Sequence, residues 1–385
     1  ENNMDKFAAI RSYKDHEVPD VINTLLGDDR VTSSFLQLIF PKAYAFVPFK
    51  NFLIRRFLSY KLRSIDNIES YQKIFENLVE KVIDQSIASF RCNGLEQLDK
   101  NYRYLFISNH RDITLDSALL NYALYKAGHK TFNIAVGDNL MNSKWVADLM
   151  RLNKSFIIQR SGDTKKDIYK GLSLASEYIH ELINNNESVW IAQKQGRAKD
   201  GIDSTDPALL KMIHLHKRKE YPISKYFNEL KVVPVAVSYE FDPNDISKAI
   251  ECAKTNQGIE YIKSSDEDIK SIAKGISDIK GDVSINLGSP LEFLSDDADE
   301  IADLITQAIS RLYYPHATNY AALMKSQNKF LDHSFSDKQL EDAMNYLEKR
   351  SSLLTQLEKA ELLSQYYQCL VNKKNGRKKP PINII

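Results

Sequence analysis

Cysteine is scarce and scattered. Cys92, Cys252 and Cys369 are the only three in 385 residues, and their separation and odd number exclude a disulfide framework and any CxxC metal or redox motif. A reducing compartment fits that usage. Long apolar runs are lacking too: a membrane-crossing helix needs about 20 consecutive apolar residues, and the most apolar early stretch, residues 32–65, is broken by Pro41, Lys42, Pro48, Lys50, Arg55 and Arg56. The N-terminal ENNMDKFAAIRSYKDHEVPD is polar and acidic where a secretory signal is basic and then apolar, so export is not expected. There is no excess of one charge. A formal net charge of +1 leaves no global field to recruit nucleic acid, and no nucleic-acid partner is expected. No GxSxG, HExxH or GxxxxGK[ST] stretch occurs, which weighs against α/β-hydrolases, zinc proteases and P-loop nucleotidases. The letters HRD at 110–112 suggest a kinase catalytic loop, but there is no DFG, no glycine-rich phosphate loop and no Asn five residues after Asp112.

What is present is an ordinary folded composition, 43% hydrophobic and 27% charged, enough for one large domain or two smaller ones. From residue 103 onward, short β-rich runs alternate with helix-length segments: RYLFIS (103–108), FNIAV (132–136), SFIIQ (155–159), SVWIA (188–192), VVPVAVSY (232–239) and DVSINLG (282–288). The pattern predicts an α/β fold with a mostly parallel or mixed central sheet flanked by helices. Ser161 or Asp163 is the expected cap of the helix after SFIIQR. Thr205 or Asp206 is expected to cap another, with Pro207 at its first position. One long amphipathic helix is expected from Asp337 to about Val371, followed by a basic tail containing Lys373, Lys374, Arg377, Lys378 and Lys379.

Between Thr32 and Ile65 there is no acidic residue, while Lys42, Lys50, Arg55, Arg56, Lys61 and Arg63 alternate with aromatic and aliphatic side chains. A segment of that kind can lie on an anionic bilayer, each cation contributing roughly 1 kcal/mol near the surface. The same pattern suits a helical subdomain packing its aromatic stripe on a core. The expected organisation is a helical N-terminal region (1–95) with this basic aromatic segment, an α/β domain (96–320) and a helical C-terminal extension (321–385).

The stretch NHRDITLD, 109–116, follows the first predicted strand and opens a helix. The carboxyl ends of strands are where open α/β sheets place ligands. A histidine there takes a proton from a hydroxyl near neutral pH if a carboxylate fixes its tautomer and stabilises the imidazolium. His110 and Asp116 would sit about 120° apart on one ideal helix, so they meet only if His110 is on the loop and Asp116 in the first turns of the helix. Asp112 is either the helix cap or a second candidate for orienting His110. His214 and His216, two apart on a predicted helix, turn to different faces and read as surface residues rather than metal ligands.

NHRDITLD, VGDNLMNSKWVADLMRLNKSFIIQR, VWIAQKQGRAKDG and VVPVAVSYE, in that order over roughly residues 100–240, resemble the four blocks of the glycerophospholipid acyltransferase family, which includes glycerol-3-phosphate and lysophosphatidic acid acyltransferases. The resemblance implies a catalytic pair of His110 and Asp116 and substrate-binding positions at Arg160, Gln195, Gly196 and Arg197, with Arg111, Lys194 and Lys199 adding positive charge. It implies no metal and no cofactor. Two departures from the usual pattern stand out. Five residues rather than four separate His110 from Asp116, which keeps Asp112 open as the orienter, and Gln195 occupies an acidic position; the chain resembles a subgroup with an NHRDI-x-LD first block. The implied activity is transfer of a fatty acyl group from a thioester of acyl carrier protein or coenzyme A to a lysolipid hydroxyl, 1-acyl-glycerol-3-phosphate first. The implied setting is cytoplasmic and peripheral to a membrane, contacted through residues 32–65. A lyso-aminoacid lipid of the ornithine or glycine type is a second acceptor, and a non-catalytic lipid-binding relative is the alternative from another class.

Overall fold

The computed structural model describes residues 5–31, 56, 59–60, 62 and 64–375. The basic aromatic segment 32–65 therefore lies, apart from isolated positions, outside the described residues, as does the basic tail beyond Asn375. Seven strands are present among the described residues: β1 (Ile87–Asn93), β2 (Leu105–Ser108), β3 (Asn133–Gly137), β4 (Ser155–Ile158), β5 (Val189–Ala192), β6 (Val232–Tyr239) and β7 (Gly281–Leu287). The helices are α1 (Val18–Gly27), α2 (Ile68–Ser86), α3 (Leu115–Lys126), α4 (Lys144–Leu152), α5 (Lys165–Asn184), α6 (Pro207–His214), α7 (Ile223–Leu230), α8 (Asp245–Asn256), α9 (Glu267–Ser277), α10 (Ala298–Leu312), α11 (Ala317–Gln327), α12 (Asp337–Ser351) and α13 (Gln356–Asn375). Two units divide the chain, one of residues 1–81 and 132–189 and a larger one of 82–131 and 190–385.

The larger unit is built on a mixed sheet in the order β1-β7-β6-β2-β5. β2 runs parallel to β6, with Leu105 beside Val232 and Ser108 beside Val235. β7 runs antiparallel to β6 and parallel to β1. Every residue of β2 and β6 is buried, which is why both read as unbroken apolar runs rather than alternating ones. The six predicted strands form within a residue or two of the expected bounds. β1 is the exception. Its IASFRCN sequence carries Arg91, Cys92 and Asn93, it is only partly buried, and among the described residues it pairs with β7 alone, so no apolar run announces it.

In the smaller unit β3 and β4 pair in parallel, Ile134 beside Ser155 and Gly137 beside Ile158. Val18, Ile22 and Leu25 of α1 pack with Val31, Ile65, Tyr71 and Leu152 in one buried cluster. The preceding segment is pinned by Arg11, which pairs with Asp5 and Glu17, and by the Tyr13 hydroxyl, which donates to Asp148 at 2.6 Å.

Two local expectations are corrected. The helix after β4 is capped by Thr164, whose hydroxyl accepts from the Asp167 amide while Asp167 returns a bond to the Thr164 amide. Ser161 lies too far ahead of the first helical residue, Lys165, and gives both its amide and its hydroxyl to Asp138. The expected long C-terminal helix is two helices, α12 and α13. Thr355 and Glu358 form a reciprocal cap, Thr355 N–H to Glu358 at 2.9 Å and Glu358 N–H to the Thr355 hydroxyl at 3.3 Å, so a new helix begins there. Asp206 caps α6 ahead of Pro207, accepting from the Ala208 amide at 2.8 Å. No helix among the described residues is long and apolar enough to cross a membrane.

Candidate active site

Each residue of the NHRD turn is fixed by a different partner. β2 ends at Ser108, and Asn109, fully buried, uses its side-chain amide as a miniature strand: Oδ1 accepts from the Val237 amide at 2.7 Å and Nδ2 donates to the Val237 carbonyl at 2.9 Å. The Arg111 guanidinium is buried and forks onto Asp203, at 2.5 and 2.7 Å; it is thus committed within the protein, not offered to an anion. Asp112 Oδ1 accepts from the amides of Thr114 and Leu115, at 3.0 and 2.9 Å, satisfying free donors at the start of α3. Its carboxyl is pushed up by burial and by the neighbouring Asp116 charge.

His110 stays on the loop and Asp116 lies in the first turn of α3, the one arrangement that lets them meet. His110 Nδ1 is 2.8 Å from Asp116 Oδ2. That oxygen also accepts from the amides of Arg111, at 2.6 Å, and Asp112, at 3.0 Å, and Asp116 Oδ1 accepts from the Tyr239 hydroxyl at 2.7 Å. Burial would raise this carboxyl. The bond and charge of His110, the Tyr239 hydroxyl and the Arg111 amide outweigh it and hold Asp116 below the usual carboxylate range. Asp112 and Asp116 are therefore driven apart in acidity, with Asp116 the anion beside His110. Tyr239 ends β6, inside the fourth sequence block, yet nothing local marked it; its bond to Asp116 spans 123 positions.

The third block forms a loop over the same turn. The Gln193 amide donates to the Ser108 carbonyl at 2.8 Å, and the Ala198 amide to the His110 carbonyl at 2.9 Å. Gln195 and Gly196 are exposed, and Gly196 has a φ of 75°, a left-handed conformation that favours glycine. Lys194 donates to the Ile202 carbonyl at 2.8 Å, and the charge of Lys199 is paired with Glu251. Arg197 differs. Its Nη1 is buried without a hydrogen-bond partner among the described residues, as are Trp190 Nε1, Gln193 Nε2 and Thr114 Oγ1. The Trp190 ring stands edge-on to the His110 ring at 5.7 Å. Buried donors are nearly always paired, which makes Arg197 Nη1 the candidate among these for meeting a ligand. Two open surface depressions, of about 660 and 800 Å³, are lined by residues such as Arg103 and Lys231 and by Lys211 and Asp296; neither includes His110.

Arg160 follows β4 in the smaller unit. Its amide and that of Ser161 donate to Asp138 Oδ2 at 3.0 and 2.9 Å. Burial pushes the Asp138 carboxyl up, and the Ser161 hydroxyl with these amides brings it below its ordinary value. The second block thus holds itself together through an aspartate at one end and the turn carrying Arg160 at the other.

Residues 89–216 match the family model described as Acyltransferase, a span that includes His110, Asp116, Arg160 and Arg197. Over that span the chain is similar to acyltransferases. It is 24% identical over 232 residues, 58% of its length, to a protein of Pseudomonas fluorescens named glycerol-3-phosphate acyltransferase. It spans about a quarter of that relative, 25%. Among solved structures, the 1-acyl-sn-glycerophosphate (LPA) acyltransferase PlsC from Thermotoga maritima aligns at 14% identity with a TM-score of 0.36, covering 76% of this chain and 95% of that one.

Proposed function

We propose that the protein is an O-acyltransferase that moves a fatty acyl group from a thioester, of coenzyme A or acyl carrier protein, to the hydroxyl of a lysolipid, with 1-acyl-glycerol-3-phosphate as the first acceptor. The observation that carries the reading is the His110–Asp116 pair at 2.8 Å within the span that matches the Acyltransferase family model. With Nδ1–H donated to Asp116, Nε2 is the nitrogen left to take a proton. The acceptor hydroxyl loses its proton to Nε2 as its oxygen attacks the thioester carbonyl. The C–S bond then breaks, and the departing thiolate recovers the proton from the imidazolium. No acyl-enzyme forms, and Asp116 stabilises the transient positive charge. Arg197 is assigned to the anionic headgroup, because a guanidinium binds phosphate or carboxylate through two parallel hydrogen bonds; Arg160 is a second candidate on its sequence block alone. Residues 32–65 are assigned to the membrane surface from which the lysolipid comes, through their basic and aromatic composition.

The test is a mass-spectrometric transfer assay with both thioester classes against 1-acyl-glycerol-3-phosphate and lyso-aminoacid lipid acceptors. Wild type should give product and His110→Ala none above background. Turnover undiminished in folded His110→Ala would reject the mechanism, and binding of lysolipid with no turnover from any pair would make the protein a lipid-binding relative.

A further inference from the structure

Lys248 of α8 is 2% exposed, a position where an ammonium is expensive unless it is paired, and the transfer chemistry does not use it. Its Nζ donates to the Arg111 carbonyl at 2.7 Å and pairs with Asp242. That carbonyl belongs to the same planar peptide as the Asp112 N–H, which donates to Asp116 Oδ2 at 3.0 Å. Holding the oxygen of that plane fixes the direction of the opposite hydrogen.

The hold extends outward. The Asp242 amide donates to the Tyr366 hydroxyl at 3.0 Å, which itself donates to Asp245 Oδ2 at 2.8 Å. Asp245, fully buried, also accepts from Arg350 Nε at 3.0 Å and from the Tyr346 hydroxyl at 3.3 Å, and its carbonyl accepts from Gln365 at 2.8 Å. Tyr346 and Arg350 belong to α12, Gln365 and Tyr366 to α13. The C-terminal helices thus grip the start of α8, and α8 grips the catalytic turn.

We propose that Lys248 is a positioning residue for the His110–Asp116 pair and that α12 and α13, through Asp242 and Asp245, form part of the catalytic scaffold. The inference rests on the reading of His110 as the base. A positioning role acts on the chemical step and leaves acceptor binding alone, whereas a purely structural role lowers stability without selecting kcat over KM.

The experiment measures kcat, KM for 1-oleoyl-glycerol-3-phosphate with palmitoyl-coenzyme A, and Tm, for wild type, His110→Ala, Lys248→Met and the double variant Lys248→Met/Asp242→Asn. Lys248→Met leaves the partly buried Asp242 without its cation and is expected to lower Tm; the second substitution removes that charge and should restore most of it. The expected result is a 10- to 100-fold loss of kcat in both Lys248 variants with KM within twofold of wild type. Wild-type kcat in the thermally restored double variant, or a loss carried by KM, overturns the proposal while inactive His110→Ala leaves the reading of the base standing. Full turnover by His110→Ala overturns both.

Discussion

Asp116 is the most heavily bonded carboxylate of the site, with His110, two backbone amides and the Tyr239 hydroxyl on its two oxygens. Four donors divide the work unequally. Those from the backbone cannot be deleted by substitution, so Tyr239→Phe is the cleanest way to weaken the carboxylate without abolishing it. A hydrogen bond to a charged group contributes about 1.5–3 kcal/mol, and Tyr239→Phe should lower unfolding free energy by that order and reduce kcat less than Asp116→Asn does. Equal kcat losses in the two variants would show that the hydroxyl does more than brace Asp116. Asp112 has the other role left open by its sequence position. Bonded to the Thr114 and Leu115 amides, it braces the helix start, so Asp112→Ala should lower stability by about 0.5–2 kcal/mol while retaining more turnover than Asp116→Asn. Urea unfolding and kcat on the same preparations decide between these assignments; greater loss of turnover from Asp112→Ala would make Asp112 the orienter.

Among the elements, α9 approaches the site through a glycine. A Cβ built on Gly275 would lie 2.2 Å from Asp112 Oδ2, and that oxygen is on a side chain already held by two amides. Alanine is worth roughly 1 kcal/mol over glycine in a helix interior, against about 1–3 kcal/mol for overpacking. Gly275→Ala is therefore expected to lower the denaturation midpoint despite its better propensity; a raised midpoint would mean that Asp112 moves aside freely. At the start of α11, His316 is buried beside Ser238, 3.1 Å from its hydroxyl. Burial, reinforced by the Arg91 charge and opposed by Ser238, lowers its pKa to about 4. The unfolded chain takes up that proton near pH 6.5 and the folded chain only near pH 4, so the stability this group permits is complete above about pH 6.5 and falls between the two. At about 1.4 kcal/mol for each pH unit the loss is on the order of 3 kcal/mol. His316→Gln should flatten the dependence of unfolding free energy on pH across that window, and an unchanged slope would assign the acid sensitivity to other groups.

At the scale of the whole molecule, what the sequence discloses follows burial. β2 and β6 are legible because both faces are covered and their letters are predominantly apolar. β1 is illegible because it pairs on one side and carries polar residues that a half-exposed strand tolerates. The NHRD turn is legible as a motif because His110, Asp112 and Asp116 lie within one short stretch. Tyr239 and Lys248 are not, since their bonds to the turn cross 123 and 137 positions and no periodicity records them. Arg111 misleads in the opposite direction: it stands next to His110 in the motif as if to bind an anion, yet its fork is closed on Asp203. Of the basic residues beside the motifs, Arg197 retains a buried, unpartnered guanidinium nitrogen. Arg197→Lys should raise KM for the anionic acceptor roughly tenfold, about 1.4 kcal/mol, with kcat less affected, because an ammonium cannot reproduce a two-pronged contact. Unchanged KM would remove Arg197 from headgroup binding.

The most direct test of the account is product formation by wild type and His110→Ala with 1-acyl-glycerol-3-phosphate and long-chain acyl thioesters, followed by mass spectrometry on protein shown to be folded. The account predicts diacylated product from wild type and none above background from the variant. Product formed equally by both would contradict it.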